Sequence, residues 1–233
     1  NQKVACNMHH KFHPEASVTS NQAEQILGVI DENSHKPIQL SFNTAQVTGQ
    51  SWTDRVCIGK TLAYCSNSST MILASYMPPI PFAHLPADGV FGLALPQASV
   101  SPSFNVLYEL KQNGVIPAAS FAIWFPDKKR DGGNAHGELS IGDYDRSKIV
   151  GLNGGEGELN YIPVSHSESG RWEVQLKNIR IKTDLYNKSV NMREHIALFS
   201  QKDHVKTVFD TGTTVIAGSH DIIQDLLQLL NLN

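Results

Sequence analysis

Short apolar runs, separated every few residues by Gly, Pro, Asn or Ser, are the feature of this chain that most limits its fold. Runs of this length and spacing are typical of β-strands, and long stretches with helical periodicity are scarce. The sequence therefore predicts a mainly β protein. Its 233 residues suffice for one large domain or two modest ones with a real core.

The predicted strands are spread along the whole chain. They are Gln25–Ile30, Ile38–Phe42, Gln46–Gly49, Arg55–Gly59, Met71–Ala74, Asp88–Ala94, Ser120–Phe125, Gly137–Gly142, Leu159–Val164 and Trp172–Leu176. Among them Asp88–Ala94 is glycine-rich and apolar, so we expect it to be buried. The Pro-rich segment Met77–Pro86 is predicted to be a loop, because proline cannot donate to a ladder.

Two helices and one boundary complete the local predictions. One helix is expected between Ser101, a suitable N-cap followed by Pro102, and Gly114, which can end it. A second begins at Ser219, and its apolar side is formed by Ile222, Ile223, Leu226, Leu227 and Leu230. The Gly-rich segment Gly151–Gly157 is the expected hinge, dividing the chain into domains at residues 1–150 and 151–233.

The overall composition excludes several functional classes. The apolar fraction of 40% and the charged fraction of 18% are those of an ordinary globular protein. A net charge of −3 provides no basic field for nucleic acid, and no apolar run approaches the roughly 20 residues of a membrane-spanning helix. We therefore expect no nucleic-acid partner and no membrane partner. A monomer is also expected.

Cysteines and sequons indicate an oxidising compartment. Cys57 and Cys65 are close enough to form a disulfide bond across a local loop, although two free thiols remain the alternative. Cys6 is then left without a partner, since the chain has three cysteines. Asn67 and Asn187 each begin an Asn-x-Ser glycosylation sequon. The secretory pathway, with a secreted or lysosomal destination, is the expected location.

Ten histidines raise the question of a metal site. His9, His10 and His13 lie close together, but no second cluster with ligand spacing completes a site. An exposed N-terminal loop is the favoured explanation, and neither a metal nor another cofactor is predicted. Below roughly pH 6 the histidines acquire charge and the molecule becomes net positive.

One carboxylate stands out as a candidate for acid–base chemistry. Asp210 opens the sequence Asp-Thr-Gly-Thr within the segment Val208–Ile216, whose flanking apolar residues are expected to be buried strand edges. Gly212 allows a tight turn after Thr211. Burial raises a carboxyl pKa, whereas donors from Thr213 and backbone N–H groups lower it. A single carboxylate of this kind is usually insufficient, so a partner is required.

Several segments, in order along nearly the whole chain, resemble the pepsin-like aspartic proteases of the pepsin and cathepsin D type. Val208–Ile216 is similar to the second Asp-Thr-Gly loop of that family, and Asp88–Ala94 to its Asp-Gly-(apolar)-(apolar)-Gly-Leu segment. The other matching segments are Phe12–Ser17, Gly137–Asp145, and Tyr161–Ser165 followed by Trp172. The resemblance implies a bilobal all-β fold, with the N-terminal lobe lacking its first strands and the C-terminal lobe incomplete.

The resemblance also implies a mechanism with two aspartates, one from each lobe. Two carboxylates about 3 Å apart share a proton, so that one activates water and the other protonates the peptide carbonyl. Asp210 is then the second member, supported by Thr211, Gly212 and Thr213. The first Asp-Thr-Gly should lie upstream of Cys6, so we expect a fragment truncated at both ends and inactive alone.

The family closes its cleft with a flap hairpin carrying Tyr-Gly-Thr-Gly. In an ungapped alignment on Val47–Gly49, this chain has Phe42-Asn43-Thr44-Ala45 at those positions. Phe42 keeps the ring but loses the phenolic hydroxyl, which costs about 1 kcal/mol if water does not replace that hydrogen bond. Asn43 and Ala45 replace two glycines, which should stiffen the tip.

Two functions follow from these residues. The first is an acid endopeptidase that cleaves proteins or peptides and is inhibited by pepstatin-type compounds. The second is a catalytically inactive homologue that binds peptide or protein in the same cleft, which the altered flap favours. An intact Asp-Thr-Gly-Ser upstream would distinguish the first from the second.

Overall fold

A computed structural model describes residues 7–22, 37–42, 45–60, 62–126, 133, 136–149, 157–176, 180–183, 188–191 and 205–229. The chain forms two compact units, Asn1–Leu159 and Asn160–Asn233. This division falls a few residues after the predicted boundary at residue 150, and most of the expected hinge Gly151–Gly157 lies outside the described residues. The assignment of 1–150 and 151–233 as two lobes stays a prediction.

The first unit contains an antiparallel sheet built on one long strand. Its strands are β1 (Asn21–Gln22), β2 (Ile38–Phe42), β3 (Ala45–Cys57) and β4 (Cys65–Tyr76). β3 pairs with each of the other three, so the sheet is organised around it. The predicted strand Gln46–Gly49 and the first three residues of the predicted strand Arg55–Gly59 are parts of this single strand, which ends at Cys57. The polar stretch between them continues it because Ser51 and Asp54 are themselves buried against partners.

A helix and a second small sheet hold the core of this unit. Leu107 and Leu110 on helix α2 (Val106–Gln112) are buried with Ile116, and Phe121 and Ile141 pack against them. The latter two belong to the antiparallel pair β5 (Phe121–Trp124) and β6 (Glu138–Ile141), which confirms both predicted strands.

The first helix begins later than predicted. Ser101 and Pro102 start a short 3-10 turn, Pro102–Phe104, and the Ser101 side chain caps nothing. The α-helix starts after Asn105, whose side chain accepts a hydrogen bond from the Tyr108 amide at 3.0 Å. An extended backbone at Asn105 separates the two turns, so a better cap replaced the predicted one. Gly114, at φ 69°, ends the helix as expected.

Three other segments differ from the predictions. Asp88–Ala94 forms no strand and is not buried, with Val90 67% exposed, because no partner strand is paired with it among the described residues. Leu159–Val164 likewise forms no ladder. Met77–Pro86 includes a short helix, α1 (Pro79–Phe82), rather than loop alone. The predicted strand Gln25–Ile30 lies outside the described residues.

The second unit consists of short pieces. β7 (Glu173–Leu176) pairs with β10 (Val205–Val208), and β8 (Arg180–Thr183) pairs with β9 (Lys188–Asn191), both antiparallel. Helix α3 (His220–Leu229) confirms the predicted second helix, although Leu230 lies outside the described residues. The remaining 3-10 turns of the described chain are Pro14–Ala16, Leu62–Tyr64, Pro96–Ala98, Arg146–Lys148 and Ser167–Ser169. Among all the described residues of both units, no helix has the length and apolar character needed to cross a membrane.

Candidate active site

Asp210 lies just beyond the end of β10, and pairing with β7 fixes the backbone that leads to it. Val208, the last residue of β10, stands opposite Glu173 in the ladder. The next amide, that of Phe209, donates to the Trp172 carbonyl at 3.0 Å. Hydrogen bonds to β7 and Trp172 therefore fix the backbone as far as Phe209, the residue before Asp210. Sequence reasoning placed Trp172–Leu176 in a strand but had no signal for its pairing with this loop, since register is a long-range property.

The loop itself supplies hydrogen bonds to both oxygens of the Asp210 carboxylate. The Gly212 amide donates to Oδ1 at 2.9 Å, and the Thr213 hydroxyl donates to Oδ2 at 2.7 Å. The Thr213 amide closes the turn by donating to the Asp210 carbonyl at 3.2 Å. A β-carbon at Gly212 would lie 3.2 Å from Oδ1, so glycine permits this close approach. Thr211 is exposed and completes the turn.

These donors set the charge state of Asp210. The Thr213 hydroxyl, and after it the Gly212 amide, lower the pKa of the Asp210 carboxyl, and slight burial opposes them less strongly. Hydrogen bonds to the charged form stabilise it. The carboxylate is therefore ionised over a wider acid range than a free aspartate. This is the state in which a carboxylate can accept a proton from water.

The flanks of the loop are more open than the sequence suggested. Val208 and Phe209 are 41% and 65% exposed, and Val215 and Ile216 are 70% and 77% exposed. The prediction of buried strand edges on both sides is wrong for this structure. A strand precedes Asp210, but none follows it in residues 211–219 of the described chain.

Glu173, opposite Val208, is the buried charged residue next to this loop. It is 7% exposed, and its Oε1 has no hydrogen-bond donor among the described residues. Lys206 places Nζ 3.7 Å from that oxygen, so the carboxylate has an ion-pair partner from β10. Sequence reasoning did not single out this pair, because only the antiparallel register brings Lys206 diagonally across from Glu173.

The predicted flap lies on the hairpin of β2 and β3. Phe42 pairs with Ala45, so two residues connect the strands. Those two, Asn43 and Thr44, are outside the described residues, as is the Phe42 side chain. The backbone thus has a hairpin where the alignment placed the flap, and the role of Phe42, Asn43 and Thr44 stays a prediction.

The predicted covalent sites have different outcomes. A disulfide bond joins Cys57 to Cys65, which face each other in the β3–β4 register, so the free-thiol alternative is wrong. Asn67 is exposed on β4, whereas Asn187 lies outside the described residues. Neither observation tests glycosylation itself.

The histidine segment is held in place by hydrogen bonds. His9 is half-buried and its Nε2 lies 2.8 Å from the Phe82 carbonyl oxygen, while the His10 amide donates to Asp88 at 2.9 Å. The expectation of an exposed loop therefore holds for His10 and His13 but not for His9. Among the residues with a described structure, no group of three or more His, Cys, Asp or Glu side chains is placed to hold a metal ion.

Comparison with known proteins settles the family. The sequence profile of eukaryotic aspartyl proteases matches residues 1–233, which is the whole chain. The chain belongs to this family. The predicted fold class, an all-β bilobal pepsin-like fold, is confirmed by this membership and agrees with described elements that are mostly strands.

Curated relatives of this chain include pepsins and cathepsin E. It is 26% identical over 223 residues to pepsin II-1 of Oryctolagus cuniculus, covering 96% of this chain and 48% of that protein. It is 24% identical to pepsin A of Canis lupus familiaris, covering 95% and 47%, and 24% identical to cathepsin E-A of Xenopus laevis, covering 94% and 46%. The chain thus spans about half the length of the curated relatives it matches.

Proposed function

We propose that the protein to which this chain belongs is an aspartic endopeptidase that hydrolyses peptide bonds of proteins at acidic pH. The observation that carries this proposal is the geometry at Asp210, where one donor from the loop meets each carboxylate oxygen. These donors lower the pKa of the Asp210 carboxyl and fix the orientation of the carboxylate. Family membership supplies the reaction class.

In this proposal Asp210 is one member of a proton-sharing pair of aspartates. Asp210 holds the negative charge and accepts a proton from the attacking water, while the second aspartate donates to the peptide carbonyl. Asp-Thr-Gly occurs once in the 233 residues, so the second aspartate has no candidate of the same motif in this sequence. The 233 residues alone are accordingly proposed to be inactive.

The proposal extends to substrates, location and organisation. Proteins or peptides are the substrates, pepstatin-type compounds the inhibitors, and the molecule acts as a monomer with no nucleic-acid or membrane partner. The Cys57–Cys65 disulfide supports an oxidising compartment, secreted or lysosomal. Residues 1–150 and 151–233 are proposed to belong to separate lobes, with Phe42, Asn43 and Thr44 at the flap.

The test uses the full-length protein on acid-denatured globin, with and without pepstatin. We expect cleavage that pepstatin abolishes and that Asp210→Asn reduces at least about 10²-fold, since general-base catalysis contributes on the order of 10²–10⁴ in rate. Asp143→Asn, an exposed aspartate in the other unit, is the matched control and should keep full activity. Pepstatin-insensitive cleavage, or none, would overturn the proposal.

A second function, peptide binding without catalysis, is favoured by one observation. In the ungapped alignment Phe42, at the end of β2, stands where the flap of the family has a tyrosine, so the proposed flap lacks that hydroxyl. Sequencing the upstream coding region distinguishes the two. Asp-Thr-Gly there supports the enzyme, and a substituted aspartate supports the binding protein.

A further inference from the structure

The sequon that begins at Asn67 lies on a β-bulge. β3 and β4 pair Val56 with Ser66 and Asp54 with Ser69, so Arg55 alone stands opposite the two residues Asn67 and Ser68. The extra residue lifts this part of β4 out of the regular ladder. Asn67 and Ser68 are both exposed, and the bulge therefore leaves space for a large group on the Asn67 side chain.

The serine of the same sequon has the opposite environment. Ser69 is 1% exposed, and its hydroxyl donates to Oγ of Ser66 at 2.8 Å, where Ser66 is itself fully buried. Glycosylation of Asn-x-Ser needs the serine as well as the asparagine. In the folded chain the asparagine is available and the serine is not.

The Cys57–Cys65 disulfide links β3 to β4 beside the sequon. Cys65 lies two residues before Asn67 on the same strand, and Cys57 and Cys65 face each other across the ladder. A covalent link there holds Val56 beside Ser66 and favours the pairing that buries Ser69. Before β1 and β2 have paired with β3, a β3–β4 hairpin without the link opens readily, because a lone hairpin is only marginally stable.

We infer that Asn67 is an N-glycosylation acceptor whose occupancy is limited by competition with closure of the Cys57–Cys65 disulfide and pairing of β3 with β4. In the transfer, the Asn67 amide nitrogen bonds to C1 of the first sugar of a lipid-pyrophosphate-linked oligosaccharide. The C1–O bond to the pyrophosphate breaks, the lipid pyrophosphate leaves, and the amide nitrogen gives up one proton. This rests on the proposed secretory route and does not depend on proteolysis.

The experiment is cell-free translation of the chain behind a cleavable secretory signal, with microsomes that contain the oligosaccharyltransferase and its lipid-linked donor. Asn187→Gln is present throughout, so that Asn67 is the remaining sequon of the two. The readout is the fraction of chain with a glycan, seen as a gel shift that peptide-N-glycosidase removes. Because import is directed by the added signal, this result is separate from the native location and from any protease assay.

Three variants test the site. Asn67→Gln and Ser69→Ala should each abolish the shift, whereas Ser68→Ala, the matched control at the neighbouring exposed position, should leave it unchanged. Absence of any shift in the Asn187→Gln chain, with and without reductant, would overturn the assignment of the site.

Breaking the Cys57–Cys65 disulfide tests the competition. Adding dithiothreitol during translation, or introducing Cys57→Ser, should raise the glycosylated fraction at least about twofold. In Cys57→Ser the reductant should have no further effect, which separates this disulfide from other thiol effects. Equal occupancy in all four combinations would overturn the competition. A lower occupancy with reductant would also do so.

Discussion

The β3–β4 hairpin and the β7–β10 ladder are both antiparallel pairs, yet they are stabilised in different ways. The hairpin joins strands of 13 and 12 residues, carries a disulfide bond, and buries the side chains of Ser66, Ser69 and Asp54. The ladder joins two strands of four residues and ends in an exposed loop. The Asp54 carboxylate accepts a hydrogen bond from the Thr19 hydroxyl, 35 residues away in the sequence, whereas the Asp210 carboxylate accepts from the second and third residues that follow it.

The largest effect should come from the core beside the hairpin. Leu110→Ala removes a side chain that is 0% exposed and leaves a cavity next to Ile116, so we expect unfolding to become easier by about 2–5 kcal/mol. Ile216→Ala, beside the Asp210 loop and 77% exposed, should change stability by less than about 0.5 kcal/mol. Urea unfolding of both variants checks this contrast, and similar losses would contradict it.

Removing the disulfide should have the next largest effect. Replacing Cys57 and Cys65 together by alanine frees a closed loop of about nine residues, which costs about 2.5 kcal/mol in the chain-entropy account. Cys6→Ala is the control, because Cys6 is not part of this bond. Chemical denaturation gives the free energy of unfolding, which should be the same for the reduced chain and the double variant and higher for the oxidised chain. A double variant as stable as the oxidised chain would contradict this prediction.

A smaller effect is expected at the buried carboxylate of β3. Burial raises the pKa of Asp54, but hydrogen bonds from Thr19, Ser17 and the Arg55 amide together outweigh it, so the pKa is lowered on balance. Asp54→Asn should therefore cost about 1–3 kcal/mol at pH 7. A carboxyl whose pKa is lower in the folded state than in the unfolded state contributes stability at pH values above its unfolded pKa. That contribution is lost as the pH falls through its folded pKa.

The pH series provides the check on Asp54. The difference between wild type and Asp54→Asn should shrink as pH falls below the ordinary aspartate pKa, because the wild-type carboxylate becomes protonated. Glu158→Gln, an exposed carboxylate, should show almost no difference at pH 7. Urea unfolding at pH 7, 4 and 2.5 measures it, and a gap that widens in acid would count against the hydrogen-bonded carboxylate.

A substitution in the Asp210 loop should have the smallest effect on stability but a clear effect on the pKa of the Asp210 carboxyl. Thr213→Val removes the hydroxyl that donates to Asp210 at 2.7 Å, so the pKa of the Asp210 carboxyl should rise toward its ordinary value. Stability should change by less than about 0.5 kcal/mol because the site is exposed. A carboxyl-carbon NMR titration follows the pKa, with Thr214→Val as control, and an unchanged pKa in Thr213→Val would show that Gly212 suffices.

Local patterns were enough to predict several elements. The short runs Ser120–Phe125 and Gly137–Gly142 predicted two strands, which are present as β5 and β6 and pair with each other. The apolar spacing after Ser219 predicted α3. The Asp-Thr-Gly-Thr sequence predicted a tight turn with a hydroxyl near Asp210, and both are present. These features depend on residues close in sequence, which is why the sequence alone reveals them.

Features that depend on distant partners were not predictable. β3 runs through Gln50–Asp54 because β4 pairs with it there, although polar residues suggested a break. Asp88–Ala94 has the composition of a buried strand, but no strand among the described residues pairs with it, and it stays largely exposed. Asn105 displaced Ser101 as the cap because the chain is extended at that point. Register and pairing are set by tertiary contacts that composition does not contain.

The turn at Asp210 also bears on the order in which the molecule is made. Both donors to its carboxylate come from positions two and three residues later, so the carboxylate can be oriented as soon as Thr213 leaves the ribosome. No residue synthesised afterwards is needed for those two bonds. The turn is thus self-contained, and a graft of residues 208–216 onto another antiparallel ladder should keep these two hydrogen bonds.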